Sequence, residues 1–483
     1  MSLSRPPESR PVTAIEWVLI AGYFAMTLGV GWLAGRGNRS GQDLHLGGRS
    51  TPWIAALISL VATEISAATL LGAPEVAFHG AFFYVQLMLG SLVARYLVAW
   101  YFLPAYYDAQ VVTVYEFLER RLGSSARSVT AALFLTGRLV ADGARLFLAA
   151  LPLHTLFGIP ILWAASLLIV VTTVYTLHGG IRAVIWTDVM QGLVFVGSGV
   201  AILVTLLVGL MQAGQNPMDL WTSLQDHGKV DILNGVGWRQ ALTDPFSLQA
   251  AFLGGIFLTL ATHGTDHDLV QRVLTCRNRQ DSVRSLLWSG WVALGVGILF
   301  LSLGSALWLA SQNGLFVAEK GVSPILTYLK NYATPTMRAL LTAAILAAAM
   351  STLSSALSAT SATLSNDLLP SRYTDTLAKN RAVTGLLALT VWVLTLATAA
   401  FKQANPELDL LRLALSSLTL VYGALLAFFM TALFGRARPS RGRIFLAASL
   451  GVVTGVGLFL ASPLAFEWLI VAGLLVTGAV LNL

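Results

Sequence analysis

The sequence predicts an all-α polytopic membrane protein. Three observations carry that prediction. Of 483 residues, 56% are hydrophobic and 11% charged, whereas an ordinary soluble domain carries about 25% charged residues. The mean hydropathy is +0.73. Finally, the apolar residues gather into about thirteen runs of helix length. A helix crosses a bilayer in about 20 residues, while a membrane barrel would show alternating segments of about ten. This composition excludes a soluble enzyme, a disordered chain and a disulfide scaffold. With one cysteine, Cys276, no internal disulfide can form. The net charge of +7 is spread over many loops rather than gathered in a patch, so no nucleic-acid partner is expected. Met1 to Pro11 is polar, so no cleaved signal peptide is expected.

In chain order the runs cover 14–35, 52–77, 82–106, 128–152, 160–178, 186–211, 248–271, 285–311, 337–366, 382–401, 410–433, 444–461 and 465–482. Loops after the odd-numbered runs hold 18 Lys and Arg residues, and the opposite side holds 7. The positive-inside rule then places the N-terminus outside and the C-terminus in the cytoplasm. The long segment 212–247, with Asp219, Asp226, Asp231 and Asp244, falls outside and is too polar to span. Arg95, Arg138, Arg145, Arg338 and Arg412 remain within runs. Arg338 and Arg412 lie near run ends and can snorkel. Arg95 has no evident partner in the sequence.

Ionisable and hydroxyl groups inside apolar runs are costly and must face protein or water. In the second run, Glu64 sits within Ser59-Leu-Val-Ala-Thr-Glu-Ile-Ser-Ala-Ala-Thr69, followed by Gly72, Pro74 and Gly80. An interrupted helix there would free carbonyls for a cation; a Ser/Thr packing face is the other reading. In the fourth run, Arg138, Asp142 and Arg145 share one helix face, with one positive charge left over. A fixed guanidinium suits a carboxylate bidentately, and a structural ion network is the alternative. His263-Gly-Thr-Asp-His267 has metal spacing but lacks a glutamate base after the first histidine. A polar helix end is favoured there, with Arg272 opening a cytoplasmic loop. In the ninth run Ser351, Ser355 and Ser358 form a hydroxyl stripe. It can offer oxygens to sodium or satisfy carbonyls four residues back. No phosphate-cradling loop supports ATP drive.

Three motifs together resemble the sodium:solute symporter family, nearest in site residues to its sialic acid and proline branches. They are Gly179-Gly-Ile-Arg-Ala-Val-Ile-Trp-Thr-Asp-Val-Met-Gln191, Thr265-Asp-His-Asp-Leu-Val-Gln-Arg272 and Ala348-Ala-Met-Ser-Thr352. The likeness runs from Asp43 to Asp367 and on toward the C-terminus. It implies two inverted five-helix repeats, 52–211 and 248–433, with 14–35 before them and two helices over 444–482. It implies a main sodium site at the carbonyls of Ala62, Ile65 and Ala348 with the hydroxyls of Ser351 and Thr352. A second sodium would take Asp188, Ser351, Ser354 and Ser355; the other reading of Asp188 is a helix N-cap or an ion pair with Arg182. Solute positions by resemblance are Ser66, Thr69, Phe82, Gln86 and Arg138, with Glu64 standing like the aspartate of proline carriers.

The expected function is sodium-coupled symport of a small organic solute by alternating access, with one or two sodium ions per cycle. A carboxylate-bearing solute fits Arg138: a sialic or other sugar acid, a monocarboxylate, or an amino acid. The resemblance also disfavours a plain hexose, because the lysine that a bacterial galactose carrier of this family holds on its eighth span has no counterpart between Arg284 and Ser311. The expected partners are solute, sodium and lipid in a cell (inner) membrane. The alternatives are a sodium-dependent channel or sensor on the same fold, and an intramembrane metalloenzyme.

Overall fold

The structure, a computed structural model, describes residues 12–38, 40–65, 67–405, 410–435 and 438–482, leaving aside the side chains at 67–68 and 410–417. The described residues are helical, with no strand beyond one isolated bridge between Thr51 and Cys276. The principal helices are α1 (Ala14–Gly35), α2 (Trp53–Glu64), α3 (Ala67–His79), α4 (Tyr84–Ala109), α5 (Val114–Leu122), α6 (Ser124–Phe157), α7 (Ile161–Gln212), α8 (Gly254–Gly264), α9 (His267–Leu274), α10 (Arg279–Gln312), α11 (Pro335–Thr363), α12 (Leu377–Ala404), α13 (Leu410–Phe434), α14 (Arg441–Ala461) and α15 (Phe466–Asn482). Among the described residues, eight are long and apolar enough to cross a membrane, and α2 with α3 meets the same measure as a pair bent by 62°. Large apolar side chains such as Trp163, Leu193 and Leu460 stand exposed on the outside, which suits lipid rather than water.

α11 lies at the centre. Nearly all of it is buried, against α7, α6 and α1. Its sequence explains the position: Ala, Ser and Thr dominate, and small residues let helix backbones approach closely in a membrane. Arg338 near its start does not snorkel. It is buried and forms an ion pair with Glu16 of α1, itself fully buried. The side chain of Arg412 lies outside the described residues.

The runs at 160–178 and 186–211 are two helices that meet at Gly180 (φ 53°, ψ −146°) with no intervening loop, and α7 denotes the pair. A loop is expected there because Arg182 lowers the local hydropathy. Instead Ile181, Ala183, Val184 and Ile185 are buried and helical, and Arg182 Nε donates to the Gly47 carbonyl at 2.9 Å. The long segment after α7 folds back over the bundle. Lys229 donates to the carbonyls of Phe78 and Gly80, at 2.8 and 3.0 Å, and lies over the Trp308 ring. It thereby covers the C-terminal end of α3, where a cation is favoured.

Gly180 adopts a left-handed backbone, and a Cβ there would meet the Leu44 carbonyl oxygen at 2.3 Å. Gly180→Ala is expected to destabilise the fold by about 1–3 kcal/mol. Gly197→Ala, also in α7, with nothing within 4 Å, should be neutral or mildly stabilising. Thermal unfolding in detergent measures both; equal losses would refute the tight approach at Gly180.

Candidate solute and cation site

α2 stops at Glu64 because Ile65 turns to an extended backbone (φ −86°, ψ 98°). The helical hydrogen-bond ladder ends there, so carbonyls of the last turn lose their regular amide partners. A cavity of about 380 Å³ opens beside this break, within the size range of small-ligand pockets. Its wall includes Glu64, Ile65, Thr69, Arg95, Arg138 and Thr352.

The residues of the expected main sodium site come from the two elements that meet here. Ile65 and Ala348 share one buried cluster. Thr63 Oγ1 reaches Ser355 Oγ across the contact at 3.2 Å. Thr352 Oγ1 donates to the Ala348 carbonyl at 3.0 Å. Ser351 Oγ donates to Asp188 at 2.6 Å. Two hydroxyls and the broken end of α2 therefore converge, and they are hard oxygen donors of the kind sodium accepts.

Asp188 is no N-cap and is not paired with Arg182. It lies within α7, fully buried, and accepts from Ser59 at 2.5 Å and Ser351 at 2.6 Å. Its ionic partner is Arg272, at 3.3 Å. Arg272 is also fully buried, not at the opening of a loop. It bonds Ser59 at 2.9 Å, Asp268 at 3.2 Å, and Ser355. Ser354 and Ser355 hydroxyls both donate back to the Ser351 carbonyl, at 3.1 and 2.5 Å. Four helices, α2, α7, α9 and α11, thus meet on one guanidinium.

A second break explains how Arg272 comes inside. α8 ends at Gly264 and α9 begins at His267, with Asp266 as its N-cap accepting from the Asp268 amide at 2.8 Å. Asp266 also accepts from Tyr422 of α13 at 2.6 Å. The break puts His263 and His267 on separate helices, so their spacing is not that of two ligands on one helix face. His263 turns to Arg95, at 3.1 Å, and Arg95 pairs with Glu64. The partner that the sequence did not reveal for Arg95 is therefore the carboxylate at the α2 break.

Arg138 lines the cavity but carries no spare charge. Asp142 lies at 3.3 Å, Asp266 at 3.6 Å and Asp268 at 2.5 Å. The count along α6 alone left one positive charge over; α9 supplies two carboxylates that reverse it. Arg145 is the more available guanidinium. Its side chain is 27% exposed and its nearest ion-pair oxygen, on Asp142, is 3.9 Å away.

Among the other expected solute positions, Thr69 lines the cavity. Gln86 spends its amide on backbone groups of Phe83, Phe246 and Asn234, at 3.0–3.2 Å, so it orders the covering segment. Phe82 packs against the same cluster as Ile65 and Ala348, with its amide on the Asp231 carbonyl. Ser66 lies outside the described residues. Sequence reasoning missed Tyr422 and Glu467, both in the cavity wall. The only ionisable residue in the last run, Glu467 carried a signal for the same reason Glu64 did.

The family model for the sodium:solute symporter family matches residues 44–445. The mouse sodium-coupled monocarboxylate transporter 1 is 29% identical over 91% of this chain and 71% of its own length. The sodium/sialic acid symporter SiaT of Proteus mirabilis is 25% identical over 93% and 89%. A substrate-bound, outward-open Na+-coupled sialic acid symporter has a similar structure, with a TM-score of 0.85 at 22% identity and 97% coverage of both chains. A nucleobase-cation-symport-1 family transporter superposes with a TM-score of 0.59 at 17% identity, over 92% and 93%. The likeness to these two structures establishes a shared helical fold.

Removing one member of a buried ion pair typically costs about 3–5 kcal/mol. Arg272→Gln is therefore expected to lower thermal stability steeply, with Arg272→Lys recovering part of the loss. A surface loop position would change by about 0.5 kcal/mol or less. Such a small change, measured by thermal unfolding of the purified protein, would contradict the buried network.

Proposed function

This chain belongs to the sodium:solute symporter family, and from that premise we propose that it imports a small carboxylate-bearing solute with sodium by alternating access. The chain is a membrane transporter and not an enzyme. The observation that carries the finer reading is the α2 break set against Ser351 and Thr352 beside the cavity. A sodium ion held by the carbonyls of Ala62, Ile65 and Ala348 and these two hydroxyls would clamp α2 to α11. Because α2 also forms the cavity wall, sodium that favours the clamped state favours the solute-binding state by linkage. The repeats 52–211 and 248–433 supply the two parts that rock about this site.

Two features support a carboxylate on the solute. Arg145 offers a partly exposed guanidinium beside the cavity. The relatives above carry monocarboxylates and sialic acid, both acids. Arg138 holds the Asp266 and Asp268 end of α9 in place, so its part in solute binding is to set the wall. Thr69 and Glu64 are the remaining solute-facing groups of this reading. A second sodium at Asp188, Ser351, Ser354 and Ser355 is a further reading, favoured by the Ser351 hydroxyl on Asp188 and by Ser355 sharing Arg272 with it. It requires Arg272 to release the carboxylate. The excess of Lys and Arg in the odd-numbered loops supports a cytoplasmic C-terminus and an inner-membrane setting.

Ser351→Ala and Thr352→Ala are each expected to raise the sodium concentration for half-maximal uptake by about tenfold or more, since a bond to a charged partner is worth about 1.5–3 kcal/mol. Sodium-dependent uptake into proteoliposomes measures this. Unchanged sodium activation in both variants would remove the site. Flux that fails to saturate with solute would favour a channel instead.

A further inference from the structure

The carboxylates around the cavity differ in one respect. Glu64 has Arg95, Asp142 has Arg138 and Arg145, Asp266 has Arg138, and Asp268 has Arg138 and Arg272. Glu467, in the first turn of α15, lines the same cavity and is fully buried. Among the described residues, neither of its oxygens has a hydrogen-bond partner or a cation within ion-pair distance. Its placement is built. α8 offers bare backbone at Gly254, where a Cβ would lie 2.3 Å from Glu467 Cβ. The start of α15 is pinned by Trp468 Nε1 on the Ala241 carbonyl at 2.9 Å and the Ala465 amide on the Leu242 carbonyl at 2.8 Å. Phe246, Phe466 and Tyr84 share this wall, and Tyr84 lies within electrostatic reach of both Glu467 and Glu64.

A buried carboxylate without a countercharge is costly. A carboxylate that shares a cavity wall with aromatic rings is suited to a cationic nitrogen, which gains from ion pairing and can gain from the ring quadrupoles. We propose that Glu467 receives a cationic nitrogen of the transported solute, so that the solute class is a zwitterion whose carboxylate faces Arg145. This deepens the symport reading and rests on it. A simple monocarboxylate would leave Glu467 without a partner. The residue belongs to a helix beyond the two repeats, which makes α15 part of the solute-recognition surface.

The test uses the full chain in detergent, with sodium or potassium. The zwitterionic probes are L-proline, β-alanine and glycine betaine; the acids without a cationic nitrogen are pyruvate and N-acetylneuraminate. Sodium-dependent thermal stabilisation by at least one zwitterion is expected. Glu467→Gln should raise that probe's half-saturating concentration about tenfold or more while keeping the response to sodium alone. Glu467→Asp, which keeps the charge, should fall between. The ranking of probes on the unaltered protein is independent of how the variants fold. Stabilisation confined to the two acids, stabilisation by no probe, or an unchanged zwitterion response in Glu467→Gln overturns the proposal. In each of these cases a preserved sodium response leaves the symport reading standing. Loss of any sodium response in the unaltered protein removes both.

Discussion

Inside a bilayer no water is at hand to satisfy a bare charge or an interrupted helix end, and the centre of this bundle is organised by that constraint. Arg272 shows it best. Its guanidinium contacts groups on α2, α7, α9 and α11 at once. Each of those helices is irregular or polar at the point of contact. α2 is about to end, α9 has just begun after a break, and α11 presents its hydroxyl stripe. A cation fixed there lets Asp188 stay buried, and Asp188 in turn orients Ser351. The expected sodium oxygens are thus positioned by a permanent positive charge a few side chains away.

The same logic separates structure from function among the polar groups. Arg138 looks like a solute anchor when α6 is considered alone. Surrounded by Asp142, Asp266 and Asp268, it becomes the fastener that holds the α9 break against α6. Groups that keep some freedom are better placed to meet a solute. Arg145 and Glu64 each show 27% side-chain exposure, and both line the cavity. Bound ligand can then exchange with groups that are only partly committed, at lower cost than breaking a fully paired buried charge.

Much of this was legible in the sequence. Hydropathy gave the helical membrane class, and Gly, Pro and small polar residues around Glu64 indicated the α2 break. The hydroxyls of α11 stood out because they repeat within an otherwise apolar run. What stayed hidden required contacts between distant segments. Glu64 and Arg95 are 31 residues apart and Glu16 and Arg338 are 322 apart, and no single-sequence periodicity links such pairs. Arg272 reads as the opening of a loop because charge normally marks a run's end. It is buried because α9 resumes a helix after the Asp266 cap. The gap between the runs at 160–178 and 186–211 reads as a loop because two glycines and an arginine fill it, yet a single glycine with positive φ joins the two helices directly.

The central claim is that sodium joins the broken end of α2 to α11. Backbone hydrogen exchange of the purified protein in sodium, against an equal concentration of potassium, tests it most directly. The amides following Ala62 and those around Ala348 to Thr352 should become more protected in sodium, together and with one concentration dependence. Protection that is the same in both salts, or that appears in sodium only at segments away from this junction, would contradict the account.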